Sequence, residues 1–416
     1  MLSSGYMAHN SSTDLSVEKA STPDRVLAAG PGVPLDALLD SAIANKLCTG
    51  AAGAVSIDGK IVWSRCAGKT ALESDEAQLA CTRATSVSES SISEPAVSPP
   101  APITTQTLFD AASLTKPLAT ALLVMKAVES GALDLDAPLG KYLPEIHSQA
   151  AHIPLIALLT HTGGMPAIPA LERFFPDSAR LDRQEALAQL FSIRPEFAAG
   201  RHVEYSCTGY ILVGAVLERI SGMLLGTLFE QEIARPLALS CAAFAPRILD
   251  SGEPSAFEGA AQTEFCPWRK KRMDGQVHDE SAYCLGGHSG NAGLFLSLED
   301  ALVLGNLFLQ EGISRGKQLL RPETMRTMLQ ERTIGLEERR SIAFKLHGQD
   351  TADGPLWPAQ SFGHTGFTGT SIFFEPGRKL VAVLLTNRVY YGREATAGLI
   401  VAFRKEFHSG VWRAFC

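Results

Sequence analysis

Apolar residues along the chain recur with two different periods, and each period predicts a different kind of element. Residues 33–43 carry apolar positions at helical spacing with a proline near their start, which predicts a helix. Two apolar-rich runs, 51–57 and 60–66, flank the turn-forming pair Asp58-Gly59, so we expect a β-hairpin there. After a polar lead-in, the chain therefore begins with a helix followed by a hairpin.

The middle of the chain has a helical pattern, and the C-terminal part returns to strands. Helical spacing is found in three central segments: Ala119–Val128, Arg183–Phe191 and Tyr210–Ile220. Further along, Thr370–Glu375 and Leu380–Thr386 are predicted as strands separated by a Pro-Gly turn. Residues 393–408 are predicted as a closing helix.

Two stretches interrupt this pattern. Residues 1–32 are rich in Ser, Thr, Ala and Gly and have few large apolar residues, so we expect a disordered lead-in. Residues 72–104 contain a serine-rich run followed by three prolines. This composition predicts a flexible surface insertion that carries no chemistry.

Composition and charge limit the classes of function. A chain of 416 residues with 45% hydrophobic content can form one large domain or two interleaved domains. The net charge of -7, without any basic block, argues against nucleic acid as a partner. No apolar run reaches the roughly 18 to 20 residues of a membrane span. The N-terminus lacks a secretory signal, which favours the cytoplasm, with export as the alternative if the natural start differs.

The cysteines give no sign of a metal or redox site. Eight are scattered along the chain without a Cys-x-x-Cys pair, and a chain of this length does not need a disulfide scaffold. We therefore expect mostly free, buried thiols, no metal and no cofactor. The sequence leaves the oligomeric state open.

The strongest chemical signal is a serine and a lysine three residues apart, Ser113 and Lys116, at the head of the apolar run Ala119–Val128. If this run is helical, both side chains lie on one face, one turn apart. A serine hydroxyl needs a neighbouring base, and a lysine can serve only if burial or a nearby cation lowers its pKa. The first helical turn also offers free N–H groups, and Pro117 fits that position. The spacing alone occurs by chance in many chains, so the residues around it decide whether the pair is interpreted as catalytic.

Those surroundings resemble a known family. The string Phe109-Asp110-Ala111-Ala112-Ser113-Leu114-Thr115-Lys116 is followed downstream by Tyr205-Ser206-Cys207-Thr208-Gly209-Tyr210 and by His364-Thr365-Gly366. In this order and with these flanks, the chain resembles the serine β-lactamase and penicillin-binding protein family. Its closest likeness is to the branch of class C β-lactamases, D-Ala-D-Ala carboxypeptidases and esterases.

The resemblance implies an α+β fold of the β-lactamase/transpeptidase type, an antiparallel sheet flanked by helices with an inserted all-helical domain. Residues 33–410 would form one catalytic domain, interrupted at 72–104. Its helical subdomain would span about 110–240. Residues 33–70 and 285–410 would form the α/β part.

The resemblance also implies roles for individual residues. Ser113 would be the nucleophile, Lys116 its partner, and Tyr205 a proton shuttle whose phenolate is favoured beside the lysine ammonium. The N–H groups of Ser113 and Phe367 would form the oxyanion hole, and His364, Thr365 and Gly366 would line the substrate cleft. Cys207 stands where the family has an asparagine that binds the substrate amide. A thiol is only a weak donor, which puts recognition of a β-lactam or peptide in doubt.

Other histidines are weaker candidates. His161, in a Thr-His-Thr-Gly-Gly string, could be nominated as a general base, but the serine and lysine already form a self-sufficient pair and the glycines indicate a helix end. His278 and Asp279 are interpreted as polar loop anchors near the cleft. Their spacing to His288 fits no zinc pattern.

The sequence thus predicts a serine hydrolase that works through an acyl-enzyme, with carboxylic esters or related small acyl compounds as the favoured substrates. The first alternative is a β-lactamase or D-alanyl-D-alanine carboxypeptidase. The second is a relative that binds a peptide or partner without turnover.

Overall fold

The structure is a computed structural model that describes residues 34–73, 98–244, 256–348 and 351–416. The strands are β1 Gly50–Ile57, β2 Lys60–Gly68, β3 Phe109–Asp110, β4 Ala243–Phe244, β5 Phe265–Cys266, β6 Lys271–Arg272, β7 Leu294–Leu296, β8 Ile313–Ser314, β9 Lys317–Gln318, β10 Lys345–Leu346, β11 Phe362–Thr365, β12 Ser371–Glu375 and β13 Leu380–Thr386. The helices are α1 Leu35–Ala44, α2 Leu122–Glu129, α3 Leu155–Leu159, α4 Arg183–Phe191, α5 Cys207–Ser221, α6 Leu225–Phe229, α7 Glu280–Cys284, α8 Leu298–Leu309, α9 Pro322–Leu329 and α10 Ala397–Phe415.

A six-stranded antiparallel sheet joins the two ends of the chain. Its strand order is β10-β11-β12-β13-β1-β2, so the N-terminal hairpin pairs with the last strand of the C-terminal part. Ala51 lies opposite Thr386 and Ile57 opposite Leu380 in this register. Strand β13 is buried along its whole length because both of its faces are covered.

Helices cover both faces of this sheet. On one face, α1 and α10 pack with apolar residues of β1 and β13 in a single buried cluster that includes Leu39, Phe407 and Leu384. On the other face, α8 approaches closely at Gly305, where an added Cβ would lie 2.8 Å from Val381. A second apolar cluster joins this layer to the helical region around α2 and α5. These layers hold the end of β11 and the start of α2 at a common edge.

A small sheet fixes the approach to α2. Its order is β3-β7-β4, with Phe109 opposite Leu296. Strand β3 leads into a short 3-10 turn, Ala112–Leu114, then a π-helical segment, Lys116–Ala121, and finally α2. The expectation of a regular α-helix from the Ser-x-x-Lys pair onward is therefore wrong in its first two turns.

Most of the predicted elements are confirmed. The hairpin around Asp58-Gly59, the helix Arg183–Phe191 and the two C-terminal strands lie where the pattern places them. The closing helix instead runs from Ala397 to Phe415. The α+β fold with an antiparallel sheet and flanking helices is confirmed as well.

The proposed lead-in 1–32 and residues 74–97 of the predicted insertion lie outside the described residues. The end of that insertion packs on the fold: Pro102 bridges to Lys69, and the Ile103 side chain is buried against Gly50. The assignment of subdomains stays a prediction. No single helix among the described residues has the length and apolar composition of a membrane span; one pair, Cys207–Ser221 with Leu225–Ala234, passes that test together but is bent by 73°.

Candidate active site

Ser113 sits on a strained turn directly after β3. The preceding residue, Ala112, has a φ of +47°, a left-handed conformation that L-residues other than glycine seldom adopt. Its N–H donates to Asp110 Oδ1 at 2.8 Å, and the N–H of His278 donates to Asp110 Oδ2 at 2.7 Å. Burial raises the pKa of the Asp110 carboxyl, although these donors oppose the rise. The buried carboxyl thus holds the backbone that presents Ser113.

Lys116 lies one turn after Ser113, and the structure brings the two together. The side chain of Lys116 is fully buried, and its Nζ donates to Ser113 Oγ at 3.0 Å and to the carbonyl of Asn291 at 3.1 Å. The wide π-helical segment that starts at Lys116 is a local departure from regular helix of the kind often found at functional sites. Of these two acceptors, the Ser113 hydroxyl is the reactive group and the Asn291 carbonyl is a structural one.

The charge of Lys116 differs from what a free-amine base would need. Burial by itself would lower the pKa of Lys116, but Cys207 and Tyr205, in their anionic forms, raise it, and the net pKa lies above the ordinary value. The condition of a lowered pKa, on which the sequence interpretation of the lysine as a base rests, is therefore not met while an anionic partner is present. Burial alone favours the free amine, and an anionic partner is what holds Lys116 as an ammonium.

Tyr205 supplies the candidate for that partner. It lies on the loop before α5, which Ser206 caps by accepting the N–H of Gly209 at 3.0 Å. Lys116 Nζ lies 4.9 Å from its ring centroid, and Lys116 and Ser113 are both close enough to the phenol to act on its pKa. Burial raises the pKa of Tyr205, while the lysine opposes the rise. The three side chains form one connected network.

His161 supports this network without touching the serine. Its ring packs against Tyr205 with centroids 4.5 Å apart and planes tilted by 31°, and its Nδ1 accepts the N–H of Ser206 at 3.0 Å. Burial, then the charges of Arg340 and Lys116, hold the pKa of His161 well below its usual value. His161 is therefore a neutral ring that positions Tyr205. It makes no contact with Ser113 that would assign it the role of a general base.

Cys207 opens α5 and faces the lysine. Its Sγ lies 3.5 Å from Lys116 Nζ, and its N–H donates to the carbonyl of Ala167 at 2.8 Å. The side chain is half-buried. The structure thus places a thiol on the cleft wall at the position that the sequence singled out.

The third motif ends strand β11 beside the nucleophile. His364 is buried, and its Nδ1 lies 2.8 Å from the carbonyl oxygen of Thr365. Burial, with the charges of Lys116 and Arg340, holds the pKa of His364 well below its usual value, so the ring is neutral. Thr365 is half-buried at the strand end, opposite Ser371.

Gly366 makes the close approach of the two walls possible. A Cβ at this position would lie 2.1 Å from Thr370 Oγ1, 2.6 Å from the carbonyl oxygen of Ala111 and 3.4 Å from the Cβ of Ala112. No side chain fits there without displacing the backbone that precedes Ser113. Within the described part of the chain, the N–H of the next residue, Phe367, has no acceptor. All the predicted site residues therefore meet at one cleft.

The sequence reasoning missed four residues that the structure adds to this site: Asn291, Arg340, Arg388 and Arg404. Asn291 acts through a backbone carbonyl, which leaves no signature in sequence. The Arg340 guanidinium carbon lies 5.7 Å from the Tyr205 ring centroid, and its Nη2 lies 2.5 Å from Glu338 Oε1. Arginines carry no local pattern that marks such a role.

His278 and Asp279 anchor loops, as expected from the sequence. His278 Nε2 lies 2.7 Å from Glu264 Oε1, and its ring stacks on Phe367 at 5.4 Å. Asp279 caps α7 and accepts from Asn291 Nδ2 at 3.2 Å. Among the residues that the structure describes, no group of three or more His, Cys, Asp and Glu side chains is arranged to hold a metal.

Comparison with known proteins agrees with this geometry. The family model described as Beta-lactamase matches residues 35–404. A Bacillus subtilis (strain 168) protein named N-acetylmuramyl-L-alanine amidase is 29% identical over 70% of this chain and 70% of its own length. An Escherichia coli (strain K12) protein named D-alanyl-D-alanine carboxypeptidase is 31% identical over 70% of this chain and 71% of its own. The structure of SurE with D-Leu is 26% identical, with a TM-score of 0.59, and covers 89% of this chain and 74% of its own. The chain belongs to the β-lactamase family and, like its members, is a serine hydrolase.

Proposed function

We propose that the protein hydrolyses carboxylic esters or related small acyl substrates through an acyl-enzyme on Ser113. The observation that carries this proposal is the network in which Lys116 Nζ lies 3.0 Å from Ser113 Oγ and 4.9 Å from the ring centroid of Tyr205. A nucleophile, a proton carrier and a fixed cation are the parts that acyl transfer to serine needs.

Tyr205 and Lys116 act as one unit in this proposal. An ionised Tyr205 raises the pKa of Lys116, and the Lys116 ammonium in turn opposes the rise that burial gives the pKa of Tyr205, so the two groups exchange protons as a pair. Loss of one proton leaves a phenolate stabilised by the ammonium, and the phenolate oxygen takes the proton of Ser113 as Oγ attacks the carbonyl carbon. The same proton then passes to the leaving alcohol. In deacylation, Tyr205 takes a proton from a water molecule as the water oxygen attacks the acyl carbon. The bond between that carbon and Ser113 Oγ then breaks, and the proton passes from Tyr205 to Ser113 Oγ.

The oxyanion would be held by two backbone N–H groups, those of Ser113 and Phe367. The steric fit of Gly366 against Ala111 and Ala112 supports this pairing, since it brings the two backbones together. The neutral His364 and the half-buried Thr365 would line the side of the cleft where the rest of the substrate lies.

The preference for esters rests on Cys207. An amide-bearing acyl group needs a strong donor and acceptor on the cleft wall, and a thiol 3.5 Å from Lys116 offers neither. A simple ester makes no such demand, so it loses less from the presence of a cysteine.

A second candidate is hydrolysis of an amide or peptide bond in a carboxylate-bearing substrate. Two relatives carry the names of a D-alanyl-D-alanine carboxypeptidase and an N-acetylmuramyl-L-alanine amidase. The buried Arg340, whose Nε has no hydrogen-bond partner among the described residues, adds positive charge beside Tyr205. Such charge would favour a substrate with a free carboxylate.

Two measurements together separate these functions. A fluorophosphonate probe should label the wild-type protein, and the label should be absent from Ser113→Ala. Wild-type protein that has not met the probe is assayed with p-nitrophenyl esters, a penicillin, a D-alanyl-D-alanine peptide and an N-acetylmuramyl peptide. We expect ester turnover to exceed amide turnover. Faster turnover of a peptide or β-lactam would favour the second candidate, and an unlabelled Ser113 would favour a binding protein without catalysis.

A further inference from the structure

A buried arginine lies directly behind the proposed oxyanion hole. Residues Gly366–Thr370, here named the oxyanion loop, follow strand β11 and carry the Phe367 N–H. Arg404, from helix α10, is 8% exposed and donates to three carbonyls of this loop. Its Nη2 bonds to Gly366 O and, at 2.9 Å, to Thr370 O, and its Nε bonds to Gly369 O at 3.3 Å.

The first of these carbonyls belongs to the peptide group that forms the hole. The C=O of Gly366 and the N–H of Phe367 are the two ends of one planar peptide, and no cis peptide occurs in the described chain. In a trans peptide the C=O and N–H point in opposite directions. A guanidinium bonded to the Gly366 oxygen therefore fixes the direction of the Phe367 N–H. It also polarises the peptide and makes that N–H a stronger donor.

The charge of Arg404 has no other evident use. Among the described residues it has no carboxylate partner. Burial, and then the charge of Arg388, lower the pKa of Arg404 to about 9, so the guanidinium remains charged at neutral pH. Burying an unpaired charge is costly, and neutral side chains could bond to loop carbonyls without that cost. A negative charge that develops on the far side of the Gly366–Phe367 peptide would offset it.

Other contacts hold the neighbouring residues of the loop. Arg388 Nε donates to Phe367 O at 2.8 Å, and its guanidinium carbon lies 4.6 Å from the Phe367 ring centroid. Thr368 Oγ1 donates to Asp110 O at 2.7 Å, and Thr370 Oγ1 donates to Ala111 O at 3.1 Å. The loop is thus attached to the backbone just before Ser113. Arg404 is the cation that meets the hole-forming peptide itself.

We propose that Arg404 is a positioning residue of the oxyanion hole: its guanidinium on the Gly366 carbonyl aims and polarises the Phe367 N–H toward the charge that develops on the substrate oxygen. This inference rests on the proposed acyl-transfer function and adds a residue to it. Arg404 does not touch the substrate, so its effect on the hole passes through the oxyanion loop, most directly through the Gly366–Phe367 peptide.

The test compares kcat/KM for two substrates that differ only in the atom that enters the oxyanion hole, and uses the ratio of the two values. A p-nitrophenyl ester places oxygen there. The matching thionoester places sulfur, which is larger and a poorer hydrogen-bond acceptor, so it gains little from a well-aimed N–H. The variants are Arg404→Met, which removes the charge, and Arg404→Lys, which keeps the charge without the planar fork. The matched control is Arg183→Met, because Arg183 is also largely buried and also donates to a backbone carbonyl, that of Leu285.

We expect Arg404→Met to lower kcat/KM for the ester by roughly 10- to 100-fold, below the full loss of an oxyanion-hole donor. The thionoester rate should fall much less, so the ester-to-thionoester ratio falls. The ester-to-thionoester ratio of Arg404→Lys should lie between that of Arg404→Met and that of wild type. Arg183→Met should lower thermal stability and leave the ester-to-thionoester ratio at its wild-type value. A merely structural role of Arg404 would lower both substrate rates together.

The outcomes separate this inference from the proposed function. If wild-type Ser113 is not labelled by a fluorophosphonate, the proposed function fails and this inference falls with it. If wild type is labelled and turns over, and a folded Arg404 variant keeps the wild-type ratio, the inference alone is overturned. If neither Arg404 variant folds while Arg183→Met does, Arg404 is a structural residue and the inference is likewise overturned.

Discussion

The two walls of the cleft are built in opposite ways. The wall with Ser113 and Lys116 comes from consecutive turns of one segment, completed by Tyr205 from a single loop. The opposite wall, Gly366–Thr370, is a short loop whose shape depends on distant side chains, above all Arg388 and Arg404. The shape of the first wall is set mainly by one short segment of the chain. The shape of the second wall depends on contacts between segments that are far apart in the sequence.

This difference follows from what each wall must supply. Proton transfer needs side-chain atoms within hydrogen-bond reach, and a helical turn provides that distance with two residues. An oxyanion hole needs backbone N–H groups at fixed angles, and a loop acquires fixed angles only when its carbonyls are bonded from behind. A substitution in the first wall should therefore remove a group that takes part in proton transfer. A substitution in the second wall should instead misplace the backbone N–H groups of the oxyanion hole.

The largest effect should come from the side chains of the first wall. Ser113→Ala should abolish ester hydrolysis, and Lys116→Ala and Tyr205→Phe should each reduce kcat by at least ~100-fold, because each removes a partner in proton transfer. Since Lys116 and Tyr205 act as a unit, the double variant should be little slower than the slower single variant. Steady-state kinetics with p-nitrophenyl esters measures this, and wild-type turnover in Ser113→Ala would remove the assignment of the nucleophile.

The second wall should fail through geometry when Gly366 is replaced. In Gly366→Ala the new Cβ would lie 2.1 Å from Thr370 Oγ1 and 2.6 Å from Ala111 O, so the loop must move away from Ser113. We expect a loss of roughly 10- to 100-fold in kcat/KM, on the scale of a weakened oxyanion donor. Gly398→Ala is the matched control, because a Cβ there meets nothing within 4 Å. Equal kinetics in the two alanine variants would contradict a close approach of the walls.

The sequence predicted the local wall and much of the sheet. The Asp58-Gly59 turn defined the hairpin, and the order of three motifs identified Ser113, Tyr205 and His364 as neighbours in one cleft. Arg404 could not be found in this way, because its contacts with residues 34 to 38 positions earlier depend on how α10 packs against the sheet. The charge of Lys116 was also beyond reach, since it depends on the balance between burial and two neighbours brought together by the fold.

A smaller effect, on substrate choice, should come from Cys207. Asparagine in its place would supply two amide donors and a carbonyl beside Lys116, whereas the thiol leaves a bound substrate amide poorly paired, at a cost of about 1 to 3 kcal/mol. That cost corresponds to one or two powers of ten in rate, applied to amide-bearing substrates alone. Cys207→Asn should therefore raise the ratio of β-lactam to ester turnover. Native protein that hydrolyses penicillins faster than short-chain esters, or an unchanged ratio in the variant, would contradict this interpretation.

The smallest effect should be a shift in the pH dependence. The proton carrier works only after the Lys116–Tyr205 pair has lost a proton, and both pKa values are raised, so kcat/KM should keep climbing as the pH rises through neutrality into the alkaline range. The charge that a cysteine side chain can carry at position 207 is one cause of the raised pKa of Lys116. A serine hydroxyl cannot carry that charge, so in Cys207→Ser the ammonium is less favoured and the pair loses its proton at lower pH. The acid limb should then move to lower pH, while Cys241→Ser, which alters a half-buried thiol bonded to Gln106, should leave it in place. A limb that stays fixed in Cys207→Ser, or moves to higher pH, would show that the thiol does not set the charge of Lys116.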